Sequence, residues 1–388
     1  MTTSIYLDNN ATTKPIDAVN KIVHETMGVQ WGNPSSIHRI GQEARQLVDL
    51  AREQVAKLIN AIPSEITFTS GGTESANLAL YSACQSRPDR NVIVTSQLEH
   101  AAVAEMADAL GERGIEIIRI QNDQNGVVSM QELESVLKAR ASEIAVVSLM
   151  WCNNETGVVE PIEQASVLCN AHKVLLHSDG TQWVAKMPVD VQQVQIDLLT
   201  FASHKFHGPK GIGALYTKQG VTVSPLVLGG PQERKRRGGT ENVPAIAGFG
   251  VAAEVAADWL TKENIDSMIQ LRDDFETQLK SQLPQITINS SGAHRAWTTS
   301  SVAFPNIKGE LLLLMLSERG VYASSGSACS SGAFKESAVI AALGEREGEW
   351  GTVRFSFART TTKEELAQAV EIISEASQKA LEVMTSTA

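Results

Sequence analysis

The sequence predicts an α/β protein: a large domain on a mostly parallel sheet with helices on both faces, plus a smaller α+β domain. Three observations carry this. Short apolar runs alternate with helical patterns between residues 66 and 216. Near residue 255 that texture gives way to one long helical pattern followed by isolated strand runs. The chain has 388 residues, 43% hydrophobic and 20% charged, enough for two domains that each bury a core.

The alternation begins with a β-type run at 66–69, closed by Ser70-Gly71-Gly72-Thr73, and a helical pattern at 74–83. Strand 91–95 with helix 99–110, strand 115–120 with helix 129–138, and strand 144–149 with the proline-opened helix 161–171 repeat the pairing. Runs at 173–177, 198–201 and the glycine-flanked 212–216 read as further strands. Beyond the change of texture, 260–283 reads as one helix, 285–288 and 301–304 as strands, 309–317 as a helix, 352–357 as a strand and 363–384 as a terminal helix. The Gly- and Arg-rich stretch 229–242 reads as an ordered, positively charged loop or as a solvated surface loop.

The net charge of −11, from 33 Lys and Arg against 44 Asp and Glu, argues against nonspecific nucleic-acid binding but leaves room for a local basic pocket. No run of about 18 apolar residues spans a membrane. The N-terminus has no basic-then-apolar signal pattern. A cytoplasmic protein with no membrane or nucleic-acid partner is therefore expected. Of the four cysteines, none forms a C-x-x-C pair, so neither a zinc site nor a disulfide framework is expected. Cys84, Cys152 and Cys169 read as small buried apolar residues. Cys329 differs: Ser324-Ser-Gly-Ser-Ala-Cys-Ser-Ser-Gly332 has the small, polar composition of a mobile loop, where a thiol is accessible and can act as a thiolate.

Three segments carry chemistry. Ser70-Gly71-Gly72-Thr73 lies between a strand and a helix, where two glycines and free helix N–H groups can cradle a phosphate, although Ser and Thr also cap helices routinely. Asp179, in Leu175-Leu-His-Ser-Asp179, follows an apolar strand and points to the crevice at strand C-termini, or else caps a helix. Lys205, in Ser203-His204-Lys205, also follows an apolar strand, where desolvation frees an amine to form a Schiff base. Together these are the parts that hold pyridoxal 5′-phosphate: a cradle for the phosphate, a carboxylate for the ring nitrogen and a lysine for the imine.

The chain resembles the cysteine desulfurases of the nitrogen-fixation and iron–sulfur assembly type, within the class V aminotransferase-like enzymes of fold-type I. The resemblance runs from Tyr6-Leu-Asp-Asn-Asn-Ala-Thr-Thr13 and Asn33-Pro-Ser-Ser-Ile-His38 through Thr69-Ser-Gly-Gly-Thr-Glu-Ser75, Glu99-His100 and Asn153-Asn-Glu-Thr-Gly157. It continues in His177-Ser-Asp-Gly-Thr-Gln182, Ser203-His-Lys205, Arg237-Gly-Gly-Thr-Glu-Asn-Val243 and Ser325-Gly-Ser-Ala-Cys-Ser330 by order of motif, the last beginning at Ser325 in Ala323-Ser324-Ser325. It implies a large cofactor domain over residues 15–255. Residues 1–14 and 256–388 would form a small domain carrying the cysteine loop at about 323–334.

By the same resemblance, Lys205 would bind the cofactor and shuttle the Cα proton, and His100 would stack on the ring and act in acid–base steps. Asp179 would pair with the ring nitrogen, while Gln182 and Asn154 would face its phenolate side. Gly72, Thr73, Ser203 and His204 would bind the phosphate. Thr240 would reach the phosphate of a neighbouring subunit, so a homodimer is implied. Arg354 would bind the substrate carboxylate, though by residue type alone it could be a surface arginine at a strand edge. Cys329 would take sulfur from L-cysteine as a persulfide, releasing L-alanine, and pass it to an acceptor such as an iron–sulfur scaffold. No permanent metal is implied, with Cys329 at most a transient iron–sulfur ligand. The helix start after the cysteine loop, Phe334-Lys335-Glu336-Ser337, lacks the proline of many relatives. A selenocysteine lyase or other β-lyase on the same cofactor, and a noncatalytic sulfur-relay scaffold, are the alternatives.

Overall fold

The computed structural model describes residues 4–325, 337–344 and 348–386. Its strands in chain order are β1 (Ile5–Tyr6), β2 (Ile66–Thr69), β3 (Val92–Ser96), β4 (Glu116–Ile120), β5 (Ile144–Met150), β6 (Leu175–Asp179), β7 (Leu198–Ala202), β8 (Gly213–Thr217), β9 (Thr287–Ile288), β10 (Thr299–Pro305), β11 (Val321–Tyr322) and β12 (Trp350–Ser356). Seven of them form one sheet in the order β2-β8-β7-β6-β5-β3-β4. The run from β7 to β4 is parallel, and β8 is antiparallel to both its neighbours.

Both faces of this sheet are covered, and strand alternation divides the side chains between them. Leu175 and Leu198 pack with the helices Gly72–Ser86 and Ala101–Gly111. Their successors Leu176 and Leu199 pack into the opposite core, with residues of the helices Arg39–Leu58, Ile162–Ala171 and Val243–Trp259. A separate core gathers the antiparallel sheet β12-β10-β9 with the helices Lys262–Gln282, Gly309–Glu318 and Lys363–Ser386. Ile5 and Leu7 also belong to this second core, and β1 pairs in parallel with β11.

Three differences from the sequence reading have local causes. The run expected at 173–177 forms a strand two residues later, because Lys173 adopts a left-handed φ of 54° in the turn that ends the preceding helix. Asp179 is consequently the last residue of β6. The expected helix at 260–283 is Lys262–Gln282, and a further helix, Val243–Trp259, precedes it. That helix is apolar around most of its circumference and so has no amphipathic period to read. It lies close against Arg39–Leu58: a Cβ on Gly250 would sit 2.7 Å from the Ala51 Cα. Among the described residues no single helix is long and apolar enough to cross a membrane.

A buried ion pair ties the loop before this helix to the sheet. Arg52 donates to both carboxylate oxygens of Glu233 at 2.7 and 2.6 Å, and Glu233 also accepts from Phe68 N at 2.9 Å. The bonds hold Glu233, Arg234 and Lys235 in consecutive left-handed conformations. Such conformations are costly for residues with a Cβ, so the pair offsets local strain as well as its own desolvation. Arg52→Ala leaves Glu233 buried without its cation and should cost about 3–5 kcal/mol of stability, read from the urea midpoint.

Candidate active site

The parallel strands β5, β6 and β7 end on the same side of the sheet, and a cavity of about 330 Å³ lies beyond their C-terminal ends. Its wall includes Gly72, Thr73, His100, Asn154, Asp179, Gln182, His204, Lys205 and Arg354, drawn from segments far apart in the chain. The sequence had singled out each of these. Asn10, Ala11, Met150, Cys152 and Thr181 complete much of the rest.

Asp179 is 6% exposed, and its Oδ1 accepts from Thr181 N at 2.9 Å. Two residues earlier on the same strand face, His177 sits between Ser148 Oγ at 2.8 Å and Thr200 Oγ1 at 3.0 Å. This bridge joins β5, β6 and β7 directly behind Asp179. Burial pushes the His177 imidazole down to about 4, so it braces the sheet as a neutral ring.

His100 caps the helix Ala101–Gly111, its Nδ1 accepting from Ala102 N at 3.1 Å, which places the ring proton on Nε2. Burial lowers its pKa against the opposing pull of Asp179, and the charges of Lys205 and Arg354 lower it further. The adjoining Glu99 carboxyl accepts from Ser96 Oγ at 2.7 Å and Met150 N at 3.0 Å, and burial pushes it up to about 8. At neutral pH the pair is a neutral acid beside a neutral base.

The expected phosphate cradle lies where β2 turns into the helix Gly72–Ser86. The strand β8 passes so close that a Cβ on Gly213 would lie 2.6 Å from the Gly71 carbonyl carbon. Glu74 occupies the helix's first turn, an awkward place for a carboxylate beside an anion site. Its burial would raise its pKa, but hydrogen bonds from Arg237 and Ser70 outweigh that and hold it low. The ionised group is neutralised by Arg237 at 2.9 Å. His204 faces the same region, its Nδ1 3.2 Å from Thr12 Oγ1. Burial and the Lys205 charge push it down to about 4.

Lys205 closes a short turn after β7 and donates to the carbonyls of Asn10 at 2.6 Å and Ala11 at 3.1 Å. Gln182 Nε2 donates to the same Asn10 carbonyl at 2.9 Å. Arg354 is 3% exposed, so it is no surface arginine. It donates to Asp8 Oδ1 at 2.8 Å and to the Asn154 carbonyl at 3.0 Å, while its buried Nε has no partner among the described residues. A guanidinium fixed on one side and unspent on another is placed to take a carboxylate.

Two expected site residues stand apart from this wall. Ser203 is fully buried behind it, where a Cβ on Gly208 would collide with its hydroxyl. Thr240 is exposed and lines no part of this chain's own cavity. Cys329 lies outside the described residues, as do Phe334, Lys335 and Glu336. Ser337 is described: it caps the helix Ala338–Ala341 and donates to Glu155 Oε2 at 2.5 Å. Cys152 is buried as expected, its thiol pushed up to about 12, yet it also lines the cavity. Asn10 was legible only as part of a family motif, because nothing local marks a backbone carbonyl as an acceptor. Lys186, buried beside Gln182, was missed altogether.

These residues fit pyridoxal phosphate. A buried carboxylate suits a basic ring nitrogen, an amine suits an aldehyde, and a helix N-terminus with a close-packed glycine turn suits a phosphate. Among the described residues no cluster of His, Cys, Asp and Glu suited to a metal occurs.

Gly213→Val should push the cradle off β8 and weaken pyridoxal phosphate retention at least about tenfold by equilibrium dialysis, with the far-ultraviolet circular dichroism kept. Glu99 gives a second expectation. In the fold it stays protonated up to about pH 8, whereas unfolded it ionises above about 4.5, so stability declines as pH rises through that window. Glu99→Gln should make the thermal midpoint fall less between about pH 5 and about pH 8 than in the unaltered protein.

Residues 5–368 match the family Aminotransferase class-V. The cysteine desulfurase NifS of Azotobacter vinelandii is 40% identical over 94% of this chain and 90% of that protein. The cysteine desulfurase IscS of Methanosarcina thermophila is 38% identical over 97% of this chain and 92% of that protein. Among solved structures, a NifS-like protein superposes with a TM-score of 0.89 at 35% identity, covering 96% of this chain and 99% of that one. SspA in complex with cysteine superposes with a TM-score of 0.80 at 30% identity, covering 92% of this chain and 100% of that one. With relatives this similar over almost their full length, the chain belongs to the class-V aminotransferase family, among its cysteine desulfurases.

Proposed function

We propose that this protein is a pyridoxal phosphate-dependent cysteine desulfurase that converts L-cysteine to L-alanine and carries the sulfur on Cys329 as a persulfide. The observation that carries the reading is the convergence of Lys205, Asp179 and the Gly72–Thr73 helix start on one cavity, with the buried Arg354 in its wall.

Bound pyridoxal phosphate would supply an electron sink for the charge that develops at the substrate Cα. Arg354 binds the substrate carboxylate, and its hold on Asp8 and the Asn154 carbonyl fixes the direction of approach. Lys205 removes the Cα proton and later returns it. Its amine is kept in the cavity wall by the Asn10 and Ala11 carbonyls. Asp179 provides the buried negative charge that holds a ring nitrogen protonated. His100 offers an Nε2–H on the cavity side and a ring that remains neutral near pH 7.

The sulfur step balances without an added oxidant. The Cβ–Sγ bond of cysteine breaks as the Cys329 sulfur bonds to Sγ. The products are a methyl group, hence alanine, and a Cys329 persulfide, which passes to an acceptor protein such as an iron–sulfur scaffold. Chain length permits the encounter. Ser324 exchanges two backbone hydrogen bonds with Arg354, and Cys329 lies five residue steps beyond it, a maximum span of about 18 Å. A homodimer is part of the reading. Met27, Val29, Trp31, Ile37 and Leu228 are exposed apolar side chains that a second copy would cover. Thr240, exposed in its own chain, would complete the neighbour's phosphate site.

The test is L-cysteine turnover under reducing conditions, with sulfide and alanine scored together. Equal amounts of both are expected, with turnover lost in Lys205→Ala and in Cys329→Ala. Turnover that survives Lys205→Ala would refute the reading. Products that persist in Cys329→Ala would replace the persulfide with direct elimination.

A further inference from the structure

We infer that Lys186 is a positioning residue, which fixes the Gln182 side-chain amide so that it turns an N–H, and not its carbonyl, toward the cofactor cavity. The inference rests on the pyridoxal phosphate reading above.

Lys186 is 5% exposed and lies four residues beyond Gln182, in the turn that follows β6. Its Nζ donates to Gln182 Oε1. The turn is itself anchored, since Lys186 N donates to the Trp183 carbonyl at 3.1 Å and Trp297 Nε1 donates to the Lys186 carbonyl at 2.9 Å. At the other end of the amide, Gln182 Nε2 donates to the Asn10 carbonyl at 2.9 Å.

A glutamine amide can turn over and exchange its oxygen for its nitrogen at little cost unless its partners forbid it. Here both ends forbid it. An ammonium has only donors, so it cannot face the Nε2 group, and a backbone carbonyl has only lone pairs, so it cannot face Oε1. One Nε2 hydrogen is spent on Asn10, and the second is left for whatever occupies the cavity that Gln182 lines. The wall at this point therefore favours an acceptor atom, above all one with negative charge. On pyridoxal phosphate that atom is the ring's phenolic oxygen.

The surroundings suit a cation that is close to giving up its proton. Burial pushes the Lys186 amine down to about 7, Lys205 lowers it further, Cys152 opposes, and Arg354 adds to the lowering. His204 and His207 in turn feel its charge, and Arg359 lines the same small space behind Lys205. Either charge state of the amine can donate to Oε1, so the amide keeps its direction across neutral pH.

The experiment titrates the visible absorbance of the cofactor-loaded protein from about pH 6 to about pH 10. Losing a donor to the phenolic oxygen favours the protonated cofactor–lysine linkage. Lys186→Met should accordingly raise the apparent pKa of the band by about one unit, a tenfold change in proton affinity. Gln182→Met should raise it too. The double variant should shift no further than Gln182→Met alone, because Lys186 acts through the amide. If Lys186→Met does not fold, Lys186→Leu carries the same test. An unshifted band in the lysine variant overturns the inference, and so does a double variant in which the two shifts add. A parent protein that gains no visible band with pyridoxal phosphate overturns the cofactor reading, and the inference with it.

Discussion

The carbonyl oxygen of Asn10 accepts from Lys205 Nζ and from Gln182 Nε2 at once, and the site is arranged around that shared acceptor. The same residue donates from its side chain to Thr299 Oγ1 at 2.7 Å and to the Asn154 carbonyl at 3.1 Å, and its backbone N–H reaches Ser356 Oγ. Three residues on, Thr13 bonds the His204 carbonyl through both its N–H and its hydroxyl. A short polar segment is thus stitched to the ends of β7, β10 and β12 and to the turn after β5. Moving it would shift the lysine, the glutamine and the arginine together. Preorganisation of the reacting groups depends on this one stretch of backbone more than on any single catalytic side chain.

Burial then decides which of the gathered groups carry charge. It leaves His100, His177 and His204 neutral and Glu99 protonated around neutral pH. Positive groups crowd the same region, with Lys205, Lys186 and Arg354 near one another, and Asp8 paired to the arginine. A phosphate and a substrate carboxylate are the anions such a region would draw. The protein has net charge −11, so this field belongs to the site and not to the surface as a whole.

Much of this was legible in the sequence where the signal is local. Lys205 follows an apolar strand, Asp179 ends one, and Gly71-Gly72 opens a helix, and each pattern depends only on neighbours a few residues away. The helix Val243–Trp259 was not legible because a helix buried on most sides has no polar face to give it a period. Lys186 was not legible either. A lysine in a loop ordinarily reads as solvated, and only the fold brings Trp297 against its backbone. Gly213 looked like strand punctuation, whereas its reason is the backbone of Gly71 passing overhead. Contacts between distant segments define these residues, and composition within a window cannot report them.

The bond from Asn10 to Ser356 joins residues 346 apart in the chain. On a ribosome adding about 5–20 residues each second, the N-terminal segment waits roughly 20–70 s before its partner on β12 exists. The large sheet, complete once Thr217 has emerged, can form well before that. Lys205 and Asp179 would then stand on a folded sheet with their cavity still open on one side. The wall of the cavity is therefore completed late in the synthesis of each new chain, when the last strand arrives.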